Sequence, residues 1–400
     1  MKDSILFASP GYYRGVDEPH MRRDAFRFVE YRRKLGFDTR LLLLSAPGCE
    51  SLPRDFRLAA APLEKWLDPC FWLETDAKTL FVYAYGCIKP KTMSGVFDAV
   101  RKAGLKLVFQ TDSGLGLPAF PYRPWTIFKR RYWWNRAGFG PTVASVRAAM
   151  QTANWMVGGS TRFMCRNVLS KCDRIRVESS LSLRTTRDRL SSLGLDAVAE
   201  RVEFAPHPVP DSFLWKGTKT GKNRRIVAVA MDWTRPGKGG ELLGRAFARA
   251  LPGSGWTAVV VGGGSARVKL AAEGASDLVE AIPLLAPNEL PSVYSGSEIC
   301  VMASGAETGP ICAWEALLAG CSLVFPPELV QLESLSEAGV ATMSDARNSR
   351  SLMIALRREM QLWDSGKRDP GSNSAAGAPA LVSTLSANLD RPVSEGVWLR

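Results

Sequence analysis

The chain has 400 residues, of which 46% are hydrophobic, so it is long enough for two domains that each bury a core. Its eight cysteines contain no C-x-x-C pair, so neither a zinc site nor a disulfide framework is indicated. Two histidines exclude a histidine-rich metal site. No apolar run reaches the length of about 18 residues that a transmembrane helix needs, and the start is too short and polar for a signal peptide. We therefore expect a cytoplasmic protein.

The formal net charge of +13 is concentrated in the first half of the chain. Residues 1–210 contain 33 Lys and Arg against 20 Asp and Glu, whereas residues 211–400 contain 19 of each kind. Such an excess indicates an anionic partner for the first half, which could be a membrane surface, a nucleic acid or a phosphorylated acceptor.

The first half alternates between predicted strands and helices. An apolar strand over 4–9 leads into a glycine-containing loop that ends at Gly15, a basic amphipathic helix over 20–35 and a strand over 39–44. A helix over 92–103 lies between strands over 79–85 and 105–110, and the turn after the second strand contains Asp112. A strand over 153–158 and a helix over 160–170 complete a predicted Rossmann-like parallel-sheet domain.

A stretch over 121–140 interleaves cationic with aromatic side chains, among them Arg130, Arg131, Trp133 and Trp134. Such a mixture suits a bilayer interface, where rings lie among headgroups and cations meet anionic lipid. It is also compatible with a surface helix whose rings are core and whose arginines are solvated. Single-stranded nucleic acid, bound by stacking and charge, is the less favoured partner.

The second half repeats the alternation after a polar linker over 215–223. A strand over 225–231 is followed by a loop with Lys238, a helix over 240–251 and a strand over 256–261. A strand-to-loop segment over 281–287 contains Leu284, and a basic helix is predicted over 349–363. We predict domains over 1–210 and 222–365, followed by a low-complexity linker and C-terminal segment over 366–400.

The most informative stretch, over 298–327, predicts strand, turn, helix and strand. Pro310 can take the first helical position, and Gly320 can end the helix. The turn presents backbone N–H groups at a helix N-terminus, which suits phosphate. Glu307 and Glu315, with seven residues between them, can accept hydrogen bonds from hydroxyls. Backbone N–H groups that bind an anion, together with two carboxylates, suit a sugar diphosphate. The alternative is an ordinary βαβ unit whose acids are solvated or cap the helix.

This stretch resembles the E-x7-E signature of retaining glycosyltransferases with the GT-B fold, family 4 especially. The resemblance implies two Rossmann-like, doubly wound parallel-sheet domains that face across a cleft, with the acceptor on 1–210 and the donor on 222–365. It implies transfer of a sugar from a nucleotide-diphosphate sugar to a saccharide or lipid-linked acceptor in polysaccharide or glycoconjugate synthesis. It also implies retention of configuration, no separate cofactor and no metal.

The resemblance assigns roles to individual residues. Glu307 binds sugar hydroxyls, Glu315 binds the ribose, and Lys238 neutralises the departing diphosphate. The family's clamp arginine is absent, because Met231, Asp232 and Trp233 stand at its place, and Arg235 is the candidate replacement. Asp112 is either the residue that faces the reacting sugar or a turn-capping Asp. The remaining donor-site candidates are Gly15, Leu284, Thr308, Gly309, Pro310 and Ile311.

The expected partners are a nucleotide sugar, an acceptor and an anionic membrane, contacted peripherally at its inner face. Two other functions stay open. A GT-B nucleotide-sugar epimerase would share the donor site, although two histidines leave few acid–base groups. A degenerate, non-catalytic GT-B domain would instead bind an anionic surface or polymer through its basic half.

Overall fold

The computed structural model divides into two compact units, Met1–Phe204 and Ala205–Arg400, and each contains one parallel sheet. It describes residues 5–13, 24–37, 39–45, 58–84, 90–111, 128, 132, 139–156, 159–217, 223–286, 288–305, 307 and 309–387. The predicted candidates Gly15, Asp112 and Thr308 and most of the stretch over 121–140 lie outside these residues.

The first unit has a seven-stranded sheet with the order β3-β2-β1-β4-β5-β6-β7. All the strand pairs within it are parallel. Because the chain begins at β1 inside the sheet and proceeds outward to β3 on one side and to β7 on the other, the sheet is doubly wound. The strands are β1 (Ile5–Tyr13), β2 (Thr39–Ser45), β3 (Leu58–Ala61), β4 (Thr79–Ala84), β5 (Lys106–Thr111), β6 (Arg174–Val177) and β7 (Val202–Phe204).

Helices cover this sheet, and buried aromatic and aliphatic side chains such as Trp72, Phe97 and Phe109 form its core. The helices are α1 (Asp24–Lys34), α2 (Leu63–Trp66), α3 (Pro69–Leu73), α4 (Pro90–Lys102), α5 (Pro141–Met156), α6 (Gly159–Asn167), α7 (Ser180–Ser191) and α8 (Asp196–Ala199).

The predicted strand over 153–158 is wrong, because residues 153–156 form the last turn of α5. Ala144, Ala148 and Thr152 recur every four residues and are buried, so the buried face of α5 runs into this segment with helical spacing. The small residues on that face give only a weak hydrophobic pattern, so the sequence alone does not show that the helix continues through 153–156.

The second unit has a six-stranded sheet with the order β10-β9-β8-β11-β12-β13, and its paired strands are all parallel. It is doubly wound about β8 and β11. Together the two sheets confirm the predicted fold class of two doubly wound parallel-sheet domains. The strands are β8 (Arg225–Asp232), β9 (Thr257–Gly263), β10 (Val279–Ile282), β11 (Ile299–Val301), β12 (Ser322–Phe325) and β13 (Ala341–Met343).

The helices of the second unit pack on both faces of its sheet, around a core that includes Phe247, Val260 and Leu356. They are α9 (Gly240–Ala250), α10 (Ser265–Leu270), α11 (Leu290–Ser295), α12 (Ile311–Leu318), α13 (Glu333–Glu337), α14 (Ser349–Asp364), α15 (Pro370–Gly377) and α16 (Val382–Ala387). Within the described ranges, no helix combines the length and apolar character that crossing a bilayer requires.

The low-complexity linker predicted within 366–400 instead contains the helix α15, and residues 370–387 are largely helical. Asp369 caps α15 by accepting a hydrogen bond from the Ser372 N–H at 2.8 Å, and the Ser374 hydroxyl donates to the Leu318 carbonyl at 2.8 Å. A Cβ on Gly377 would lie 2.7 Å from the Leu318 nitrogen. The small residues that resembled a linker therefore let α15 pack closely against α12.

Candidate functional site

The site lies where the sheet of the second unit changes direction. β8 pairs with β9 on one side and with β11 on the other, so the loops after β8 and β11 leave the same edge side by side. Ligands of doubly wound sheets bind at this switch point, at the carboxyl ends of the strands. The Gly305 N–H donates to the Gly237 carbonyl at 2.9 Å and joins the two loops.

Lys238 and Glu307 meet between these loops. The Lys238 Nζ donates to Glu307 Oε1 in an ion pair, and the two side chains are 28% and 21% exposed. The Gln331 Nε2 donates to the Glu307 carbonyl at 3.0 Å and holds that part of the loop. The structure thus brings together a cation and a carboxylate that sequence reasoning had assigned to one ligand.

Gly239 allows the two loops to approach each other this closely. Its φ is +72°, a left-handed conformation that glycine adopts at no steric cost. A Cβ there would lie 2.4 Å from the Ala303 carbonyl oxygen. Any side chain at this position would therefore push apart the loops that carry Lys238 and Glu307.

The N-terminus of α12 faces the same edge of the sheet. The first residue of this helix differs from the prediction. Pro310 is the N-cap and Ile311 is the first helical residue, so Pro310 does not take the predicted first helical position. Pro310 has no N–H and makes no side-chain cap. The Ala313 N–H donates to the Pro310 carbonyl at 3.0 Å, so the N–H groups of Ile311 and Cys312 are the ones that can receive an anion.

Glu315 lies on the inner side of α12 and is only 4% exposed. The hydroxyl of Tyr294 on α11 donates to Glu315 Oε2 at 3.3 Å. Burial, and then the Glu315 charge, raise the pKa of Tyr294 well above its usual value, so this hydroxyl stays protonated as a donor. A buried carboxylate needs such donors. Sequence reasoning missed Tyr294, since no spacing links it to Glu315.

Arg235 and Leu284, two other predicted site residues, are more exposed than Lys238 and Glu307. The Arg235 side chain is 67% exposed, and its Nε lies 3.5 Å from Asp232 Oδ2. Hydrogen bonds from Thr234, together with Arg235, lower the pKa of the Asp232 carboxyl, so that this partner of Arg235 stays charged. Leu284 follows the edge strand β10 and is 44% exposed.

A cavity of about 570 Å³ adjoins the loop that carries Lys238. Its wall includes the N-terminus of α9 at Gly239 and three arginines, Arg235, Arg267 and Arg347. Arg267 lies on α10, and Arg347 lies between β13 and α14. Sequence reasoning missed both, because no motif relates them to Lys238 and only the strand order brings them to this edge.

Comparison with known proteins finds similarity to solved structures. No protein-family model matches the chain, and a search of curated proteins found no match. HepE of Anabaena, solved with UDP, matches with a TM-score of 0.61 and 14% identity over 98% of each chain. The lipopolysaccharide outer core galactosyltransferase WaaB matches with a TM-score of 0.60 and 11% identity over 97% of this chain and 98% of its own.

A glycosyltransferase from Rickettsia africae matches with a TM-score of 0.59 and 11% identity over 97% of each chain. At these identities the likeness concerns the fold. These neighbours have the two-domain GT-B fold, and the chain described here has that fold as predicted.

Proposed function

We propose that the protein is a glycosyltransferase that moves a sugar from a nucleotide-diphosphate sugar to a saccharide or lipid-linked acceptor, with retention of configuration. The contact between Lys238 and Glu307 at the switch point is the observation that carries this proposal. In this proposal Lys238 is the cation for the diphosphate and Glu307 the carboxylate for sugar hydroxyls, and the ion pair between them supports a shared site for the two groups.

The chemistry follows from where charge develops. As the bond to the anomeric carbon breaks, negative charge builds on the diphosphate and positive charge on the sugar ring. Lys238 and the first N–H groups of α12 stabilise the diphosphate, since both are already oriented before the reaction. Glu307 holds sugar hydroxyls in place, which is a positioning role and not that of a covalent nucleophile.

The solved neighbours guide the choice of donor. HepE of Anabaena has been solved with UDP and with UDP and glucose, and the second structure matches this chain with a TM-score of 0.57. Sucrose-phosphate synthase of Thermosynechococcus elongatus also matches, with a TM-score of 0.53. We therefore propose a UDP-sugar with a hexosyl group as the first donor to test.

We also propose that the first unit contacts an anionic membrane and so reaches a lipid-linked acceptor. Val143, Val146 and Met150 recur along one side of α5 and are 48%, 55% and 67% exposed. They directly follow the cationic and aromatic stretch over 121–140, within the half of the chain that holds the whole charge excess. Exposed apolar side chains beside cations suit an interface with anionic lipid.

The test combines binding with turnover. Thermal shift with UDP, GDP and their sugars measures donor binding, since a ligand at 100 times its Kd stabilises the fold by about 2.7 kcal/mol. Release of nucleoside diphosphate in the presence of candidate acceptors measures turnover. No shift with any nucleoside diphosphate would contradict the proposal, and donor binding without turnover on any acceptor would favour a non-catalytic domain.

A further inference from the structure

We propose that Arg347 is the second cation of the donor site and binds the diphosphate beside Lys238. This inference rests on the proposed function. No sequence pattern indicates Arg347. In this proposal Arg347, and not Arg235, stands in for the missing clamp arginine.

The guanidinium of Arg347 is fixed against both loops of the site. Its Nε donates to the Ala303 carbonyl at 3.0 Å, and its Nη2 lies 3.5 Å from the Gly237 carbonyl oxygen. Ala303 belongs to the loop that carries Glu307, and Gly237 directly precedes Lys238. A Cβ at Gly305 would lie 2.9 Å from the Arg347 Cζ, so the guanidinium lies directly against this backbone.

The charges of the three predicted residues do not suit a diphosphate by themselves. Lys238 is compensated by Glu307 in the ion pair, and Glu315 adds a further carboxylate nearby on α12. These groups carry a net charge of about −1, whereas a bound diphosphate needs positive charge around it. A further cation is therefore required at this edge of the sheet.

Arg347 meets that requirement better than Arg235. Among the described residues, no carboxylate oxygen lies within 4.0 Å of the Arg347 guanidinium, so its charge is uncompensated there. Arg235, in contrast, lies next to Asp232 and is 67% exposed. Solvent and a neighbouring carboxylate both weaken the attraction of Arg235 for an anion.

Arg347 also has donors left for a ligand. A guanidinium has five N–H groups, and the two backbone carbonyls occupy two of them. Within the described part of the chain, Nη1 makes no hydrogen bond. Arg347 lines the cavity of about 570 Å³ together with Gly239 and Arg267, so there is room for an anionic group against it. Its fork geometry suits two oxygens of a phosphate.

The test compares Arg347→Gln, Arg347→Lys and the wild type in calorimetric titrations with UDP and with uridine, which lacks the diphosphate. Gln retains an N–H donor for the Ala303 carbonyl but removes the charge, and Lys retains the charge. We expect Arg347→Gln to weaken UDP binding by roughly 10- to 100-fold, as for loss of a charged hydrogen bond, and to leave uridine binding unchanged. Arg347→Lys should lose less UDP affinity than Arg347→Gln.

Two controls separate the proposed role from general effects of charge. Arg350→Gln removes an exposed arginine from the first turn of α14, and Arg235→Gln removes the candidate that the sequence indicated. Arg350→Gln should bind UDP within about twofold of the wild type, and Arg235→Gln should lose less UDP affinity than Arg347→Gln. An equal loss of UDP and uridine binding in Arg347→Gln would show that Arg347 only braces the loops.

Unchanged UDP binding in Arg347→Gln would overturn the inference and leave the proposed function intact, because the wild type would still bind the nucleotide. Failure of the wild type to bind any nucleoside diphosphate would instead overturn the proposed function itself. Loss of UDP binding in Arg235→Gln as large as in Arg347→Gln would contradict the choice between the two arginines.

Discussion

Lys238 and Glu307, which are 69 residues apart in the chain, form an ion pair that ties the loop after β8 to the loop after β11. The pair is partly shielded from solvent, so its attraction is screened less than that of a surface pair. If the proposed function holds, a diphosphate that approaches Lys238 must exchange this contact for its own. Under that proposal the pair keeps the cation in place before the donor arrives and is itself part of the donor's binding equilibrium.

Lys238→Ala should lower kcat/KM for a nucleotide sugar by roughly 10²-fold or more, because it removes a charge that stabilises the leaving diphosphate. Steady-state kinetics with the best donor checks this. Lys367→Ala is the matched control, since Lys367 is an exposed lysine of the same unit without an ion-pair partner among the described residues. Equal rates for the wild type and Lys238→Ala would contradict the role of Lys238.

Tyr294→Phe should lower the free energy of unfolding by about 1–3 kcal/mol, because the buried Glu315 carboxylate loses a donor. The ring contact with Phe213, at 5.8 Å between centroids, is kept by phenylalanine, so packing changes little. Thermal melts compare this variant with Tyr31→Phe, which removes a hydroxyl without a hydrogen bond in the described residues. Identical melts for both variants would show that Glu315 does not depend on Tyr294.

Arg368→Met should destabilise the second unit by about 3–5 kcal/mol, because it leaves a fully buried carboxylate without its cation. Arg368 binds Glu359 through two bonds, from Nε to Oε1 at 2.5 Å and from Nη2 to Oε2 at 2.8 Å, and Glu359 is 0% exposed. Urea unfolding measures the loss.

Arg358→Met, at an exposed position of α14, the helix that contains Glu359, is the control for Arg368→Met and should cost less than about 0.5 kcal/mol. Adding Glu359→Gln to Arg368→Met should recover part of the loss, since a neutral amide is cheaper to bury than a carboxylate. A double variant as unstable as the single one would show that lost packing, and not the uncompensated charge, causes the effect.

Val146→Ser combined with Met150→Ser should reduce binding of the protein to anionic vesicles by about tenfold, because two exposed apolar side chains of α5 no longer enter the interface. Binding should also fall as salt is raised, since each Lys or Arg near an anionic surface contributes about 1 kcal/mol that salt screens. Changing Arg130, Arg131, Trp133 and Trp134 together to Ser should have the same effect while nucleotide affinity is kept. Vesicle sedimentation provides the measurement.

Leu270→Ser is the control for the α5 double variant, because Leu270 is 74% exposed and lies in the second unit. It should sediment with anionic vesicles as the wild type does. Equal sedimentation with neutral and anionic vesicles would rule out an electrostatic membrane contact. Tight, salt-sensitive binding to single-stranded RNA under conditions where vesicles are not bound would identify a nucleic-acid surface instead.

Cys312 should resist alkylation by iodoacetamide at pH 8 in the folded protein. Burial, and then the nearby Glu307 carboxylate, raise the pKa of the Cys312 thiol to about 12, and Lys238 partly opposes them. The reactive thiolate is therefore scarce at pH 8. Peptide mapping compares Cys312 with the exposed Cys70. Modification of both at the same rate would show that the thiol of Cys312 is not held in this environment.

The local sequence determined the central unit of the site. Apolar residues at strand and helix spacing, followed by Gly320, were enough to predict the strand, turn and helix that the structure shows in β11 and α12. The strand, the turn and the helix each depend on residues within a few positions of one another, so the local sequence pattern is enough to predict them. The alternation of such units was likewise enough to predict two doubly wound sheets.

The tertiary structure alone decided which side chains meet. Lys238 contacts Glu307, and Arg347 contacts the backbone of both loops, because β8 lies beside β11 and the segment after β13 reaches the same edge. The order of the strands in the sheet brings together residues that are far apart in sequence. The local spacing of residues along the chain does not indicate that order. The burial of Glu315 against Tyr294, and the packing of α15 where a linker was expected, depend in the same way on elements that meet only in the folded chain.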